Sequence, residues 1–176
     1  MSFSAGRFNL YLLLLAAGLL LTAGCATHKK EAKQTAMLRV HLQSTEKISA
    51  HETVSVLRSH PMLVPIVTDP ILTESHVASA TLLETPGGFA VEIQFNQAGM
   101  WMLEQYTSAN PGKHLAIFGQ WSDLVGDGRW LAAPVISHRI ANGLLSFTPD
   151  ASRAEAEQFV GGLNHVAKNI RTQTLK

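Results

Sequence analysis

His51 and Glu52 open the stretch HETVS, which nearly matches the zinc-hydrolase pattern H-E-x-x-H. In that pattern two histidines one helical turn apart hold the metal, and the glutamate between them activates water. Ser55 stands where the second histidine is required, so the stretch offers one imidazole and no zinc site is expected. No G-x-S-x-G elbow and no glycine-rich phosphate cradle occurs elsewhere. Asp123 and Asp127 in SDLVGDG bring two carboxylates close together, but without the spacing of a calcium loop, and the stretch reads as a solvated turn. The eight histidines are scattered along the chain. The residues therefore predict a protein that is not an enzyme and carries no metal and no cofactor. Binding chemistry remains. Trp101, Trp121 and Trp130, with Met100 and Met102, are bulky, adaptable side chains of the kind that accept varied peptide sequences. Trp121 and Trp130 flank the polar SDLVGDG stretch and are expected to be partly exposed. The competing fate of all five is burial in a core.

The sole cysteine, Cys25, sits at the end of an apolar run. Residues 10–21 are almost wholly apolar, Arg7 is the only charge before Lys29, and small residues Ala23 and Gly24 directly precede the thiol. This is the layout of an export signal, and the run is shorter than the roughly 20 residues of a membrane span. TAGC resembles the lipobox of bacterial lipoproteins, with Thr22 where leucine is usual. The resemblance implies cleavage after residue 24, lipid on the Cys25 sulfur and an acylated new amino terminus. It also implies anchoring to a membrane without a spanning helix, since two acyl chains hold stably where one does not. Ala26 after the lipidated position favours the outer membrane. The expected organisation is a signal peptide over 1–24, the lipidated cysteine and a flexible polar tether over 25–36, and a folded domain over 37–176.

Losing the leader removes Arg7 from 14 basic residues and leaves 13 against 13 acidic ones. A neutral chain without a basic stripe argues against a nucleic-acid partner.

The elements that must position any site follow from periodicity. MLRVHLQ alternates Leu38, Val40 and Leu42 with polar residues, as a half-buried strand does. TVSVLRS and MLVPIVT are further strands, with Pro65 at an edge or bulge. Thr73 can cap a short helix that runs into a strand near residues 80–84. LLETPGGFAVEIQF reads as a β-hairpin with glycine supplying positive φ in the turn. Asn96 then caps a helix over 97–109. KHLAIFGQW, GRWLAAPVI and GLLSFTPD are strands. Ser152 and Glu155 form a capping box for a last helix with the stripe Ala156, Phe159, Val160, Leu163, Val166, Ala167 and Ile170. Gly161-Gly162 within it predicts a close approach of that helix to the sheet. The series is an α+β fold, a mainly antiparallel sheet with two main helices packed on one face.

Four segments in order, DPILTESHVASATL, FAVEIQFNQAGMWMLEQYTSANPGKHLAIF, GRWLAAPVISHRIANGLLSF and TPDASRAEAEQFVGGLN, resemble the head subdomain of the first periplasmic domain of the SecD and SecDF export proteins. The shared positions are Asn96 and Gly99, Thr107, Gly112 and Lys113, Asp127 and Gly128, Ala133 and Pro134, Ile140 and Gly143, and Glu155 and Ala156. The likeness spans roughly residues 68–168. It implies contact with polypeptide, either exported chains or envelope and translocase proteins. The family's membrane helices, which couple proton flow to export, have no counterpart here, nor does its base subdomain. The expected function is therefore a lipid-anchored, non-enzymatic envelope protein facing the periplasm that binds polypeptide. Its rival is an assembly lipoprotein of the envelope with no part in export.

Overall fold

The computed structural model describes residues 35–45, 51–121 and 128–174. The expected signal peptide, Cys25, most of the expected tether and residues 122–127 of the polar stretch lie outside the described residues. In chain order the elements are β1 (Met37–Leu42), β2 (His51–Val56), β3 (Met62–Val67), β4 (Leu72–Thr73), a 3-10 turn (Glu74–His76), β5 (Val77–Thr85), β6 (Gly88–Phe95), α1 (Gln97–Ala109), β7 (Leu115–Gln120), β8 (Arg129–Ala132), β9 (Leu144–Phe147) and α2 (Arg153–Thr174). The fold is α+β, and every strand pair is antiparallel. The strands divide into three sheets rather than one: β4-β1-β7-β8, the β2-β3 ribbon and β5-β6-β9.

Alternation dictates which face each strand buries. Leu38, Val40 and Leu42 of β1 and Leu115 and Ile117 of β7 enter the main core with Val91, Ile93 and Phe95 of β6. Phe159, Leu163 and Ala167 of α2 pack into the same core. Gly119 of β7 lies under that helix: a Cβ there would stand 2.4 Å from Leu131 Cδ1 and 3.0 Å from Phe159 Cε2. The predicted close approach at Gly162 is present, but its neighbour is the segment entering β1. A Cβ on Gly162 would meet the Ala36 Cβ at 2.7 Å.

β1 is covered on both faces near its end, where the alternation predicted one. The β2-β3 ribbon lays Val54, Val56, Val64 and Ile66 against Ala116 and Trp130 on the second face. His41 is buried there, with its Nδ1 2.9 Å from the Val67 carbonyl oxygen. Pro65 fits this ribbon because its carbonyl accepts from Ser44 N at 2.8 Å, outside the pairing with β2. Backbone N and C=O of one strand residue point the same way, so the missing N–H costs no bond to β2. The β5-β6 hairpin turns at Pro86-Gly87, with Gly87 at φ +89°. The predicted helix after Thr73 is one 3-10 turn, and β5 begins at once.

The positions that carried the family likeness are largely scaffold. Asn96 Oδ1 accepts from Gly99 N at 3.0 Å and caps α1. Gly99 lets that helix approach the 3-10 turn, since a Cβ would lie 2.8 Å from His76 Cβ. The buried Thr107 hydroxyl donates to Leu103 O at 2.7 Å and accepts from Ile140 N at 3.0 Å. The capping box is formed, with Ser152 N donating to Glu155 Oε2 at 2.7 Å.

Candidate polypeptide-binding site

The five adaptable side chains do not form one surface. Trp121 is 8% exposed and belongs to the main core, so the expectation that it is exposed is corrected. The Arg129 guanidinium lies 4.6 Å from the centre of its ring. Arg129 also holds Glu155 at 2.6 Å and donates to Asp150 O at 3.2 Å. The Arg129 guanidinium beside it, seconded by the Ser152 N–H, brings the Glu155 carboxyl down to about 2. Trp121 is thus held by the same ion pair that ties the start of α2 to β8. Trp130 is half-buried beneath the ribbon, edge-on to His41 at 5.4 Å and to Phe118 at 5.5 Å. Trp101 is 59% exposed on α1. Met102 packs on the core, whereas Met100 is half-buried at the β9 end of α1, against Gly143.

Two cavities lined by described residues open at the surface. One, of about 360 Å³, lies between the end of β2, Pro61, Phe118 and Trp130. Its charged rim is already committed. Arg58 N donates to Asp150 Oδ2 at 2.7 Å, and the Arg58 side chain bonds the same carboxylate. Burial pushes the Asp150 carboxyl up, but the Arg58 hydrogen bonds and the charges of Arg58 and Arg129 outweigh it and leave it below its usual range.

The other cavity, of about 260 Å³, is a groove between residues 134–138 and β9, floored by Leu115, Ile136, Ile140 and Leu145. No Asp, Glu, Lys or Arg lines it. Arg139, next to it in sequence, is drawn off into an ion pair with Glu104 of α1. Val135 on one wall is 52% exposed, and Ser146 on the other is exposed. Sequence reasoning passed over both residues, because a valine after proline and a serine inside LLSF look like ordinary strand positions.

Among the described residues no three metal-ligating side chains come together, and no helix is long and apolar enough to cross a membrane. The HETVS stretch is strand β2, where His51 and Ser55 lie on an extended chain rather than one helical turn apart.

The model of the SecDF P1 head subdomain family matches residues 49–166. The chain belongs to this family. The match begins well before residue 68 and so takes in the β2-β3 ribbon. The fold of the SecDF P1 head subdomain family is also seen in a solved structure of SecDF, described as a membrane component that enhances protein export. That chain is 21% identical, with a TM-score of 0.52 and coverage of 93% of this chain and 70% of its own. Two further SecDF structures match at lower similarity. One is in a super-membrane-facing form (18% identity, TM-score 0.46, covering 90% of this chain and 33% of that one). The other is a translocon-associated membrane protein from Thermus thermophilus (16% identity, TM-score 0.40, covering 90% and 34%). This chain therefore spans about a third of the length of those two. No curated protein matches it by sequence.

Proposed function

We propose that this protein is a lipid-anchored, non-enzymatic envelope protein whose SecDF-head domain faces the periplasm and binds polypeptide during export. The observation that carries the reading is the uncharged groove beside β9 on a domain of an export-associated family. A surface that meets many different chains has to bind features they share, which are main chain and apolar side chains. The membrane attachment rests on the layout around Cys25. No helix among the described residues is long and apolar enough to cross a membrane, and the contribution proposed for the head is retention: an emerging chain held outside the membrane cannot slide back.

The test uses the full-length protein in detergent micelles and one secretory precursor, presented unfolded and folded. Saturable binding of the unfolded form alone is expected, together with slower export of that precursor in cells lacking the protein. Absence of binding to either form, with export rates unchanged, removes the reading in favour of an assembly role in the envelope.

A further inference from the structure

The main-chain hydrogen bonding on both walls of the groove is incomplete. β9 pairs with β6 in the register Ile93 to Leu145 and Val91 to Phe147, and Phe95 N donates to Gly143 O at 2.9 Å. In an antiparallel ladder the residues that exchange both bonds alternate. Gly143, Leu145 and Phe147 therefore turn their main-chain groups toward β6, and Leu144 and Ser146 turn theirs outward. Asn142 Oδ1 takes the Leu144 N–H at 3.1 Å. The N–H and C=O of Ser146 and the C=O of Leu144 find no protein partner among the described residues.

The opposite wall has the same gap. Leu115 N donates to Pro134 O at 2.9 Å and Ile136 N to Lys113 O at 2.8 Å. Val135 lies between them, bridged to His114, with its own N–H and C=O turned away from β7. These groups too have no protein partner among the described residues. Asp150 N donates to Leu131 O at 2.7 Å, joining the chain after β9 to β8. Counting forward from Leu131 and back from Asp150, as antiparallel chains run, brings Val135 level with Ser146. The continuation of β8 and the edge of β9 are thus stitched at one end and part where the groove opens.

We propose that this cleft takes a short, uncharged, extended polypeptide segment as an added strand, bonded to β9 through Ser146 and Leu144. The proposal rests on the polypeptide-binding reading and says where and in what form the chain is held. Alternating outward N–H and C=O groups complement another extended backbone. Walls without a charged residue give an inserted charge no partner for the water it loses. The volume is below the roughly 300–1,000 Å³ of ordinary ligand pockets, which suits a few residues with modest side chains. An open strand edge is a pairing hazard that proteins usually cover, and this chain does cover another one. On β5, the Asn164 side chain accepts from Ala80 N at 2.9 Å and donates to Ala80 O at 2.8 Å, and Arg171 donates to Ala78 O at 3.2 Å.

The probe is a fluorescein-labelled peptide of alternating valine and serine, about six residues long as an average strand is, titrated into the full-length protein in micelles. Saturable binding is expected, with slowed amide exchange at Ser146 and Val135. Ser146→Pro removes an outward N–H and no bond to β6, so the domain keeps its melting temperature while affinity falls at least about tenfold. N-methylating alternate peptide amides weakens binding similarly with every side chain retained. Replacing the peptide serines with glutamate or with lysine does the same. Equal binding to wild type and Ser146→Pro, or indifference to N-methylation, overturns strand addition at β9 while polypeptide binding stands. Failure of wild type to bind both this peptide and the unfolded precursor removes both readings. A concentration-dependent dimer that Ser146→Pro dissolves, with no peptide bound, assigns the edge to a second copy and overturns the proposal.

Discussion

Glu155 illustrates how one side chain joins two elements. Its carboxylate caps α2 through Ser152 and pairs with Arg129, which itself covers Trp121. Its pKa is depressed in the folded state from an ordinary 4.5 to about 2. A depressed carboxylate contributes stability that is present above the unfolded value and lost as pH falls through the folded one. Urea midpoints of the wild-type protein should therefore decline between pH 4.5 and about 2. Glu155→Gln should be less stable at pH 7 and lose that part of the decline, so that the two proteins converge toward pH 2. Parallel curves for the two would show that the pair contributes nothing. Gly119 is a second single-residue case. The methyl added by Gly119→Ala would overlap Leu131 and press on Phe159. Overpacking of this kind costs about 1–3 kcal/mol, and chemical denaturation at neutral pH is the measurement.

The elements differ in how their edges are treated. The β5 edge is closed by α2, whose Asn164 side chain imitates a neighbouring strand with one donor and one acceptor. Asn164→Leu keeps comparable bulk but leaves the Ala80 N–H and C=O without that partner. Stability should fall by about 1–3 kcal/mol, the cost of unsatisfied partly buried groups, and the Ala80 amide should exchange faster. An unchanged exchange rate would mean that the Asn164 bonds do not protect the strand. Among the described residues the β9 edge has no such cover, although β9 is as much a part of its sheet as β5. The ribbon β2-β3 has the opposite role: it seals the outer face of β1 and β7 and fixes His41 and Trp130 beneath it. Its inclusion in the family match shows that this cover belongs to the head subdomain itself.

For the whole molecule, the proposed function asks how a domain without spanning helices among its described residues would stay where exported chains emerge. Cys25 supplies the proposed answer through acyl chains, each buried CH₂ contributing about 0.8 kcal/mol to membrane attachment. Cys25→Ser should abolish labelling with palmitate and move the protein from the membrane to the soluble fraction, or leave it with an uncleaved leader. Full membrane retention of the mature, unlabelled chain would refute lipid anchoring. The proposed binding groove does not include Cys25, so the peptide titration on Cys25→Ser should match that of wild type.

Local rules sufficed for much of the architecture. The alternation in β1, the Pro-Gly turn of the β5-β6 hairpin, the Asn96 cap and the Ser152-Glu155 capping box each depend on residues within a few positions of one another, so the chain spells them directly. The ordered motif that marked the SecD head mixes the two kinds, since Asn96 caps the helix that follows it, whereas Gly99 and Thr107 answer to His76 and Ile140 far along the chain. Other features needed the folded state. Trp121 is buried, Trp130 half-covered and Trp101 exposed, although all three look alike in sequence. Their exposure depends on which distant element lands on them: the core with Arg129 alongside, the β2-β3 ribbon, or no described element. The groove is the same kind of feature. Whether Ser146 and Val135 find main-chain partners is decided by how far two sheets diverge after the Leu131–Asp150 bond, a distance between strands that no run of neighbouring residues encodes.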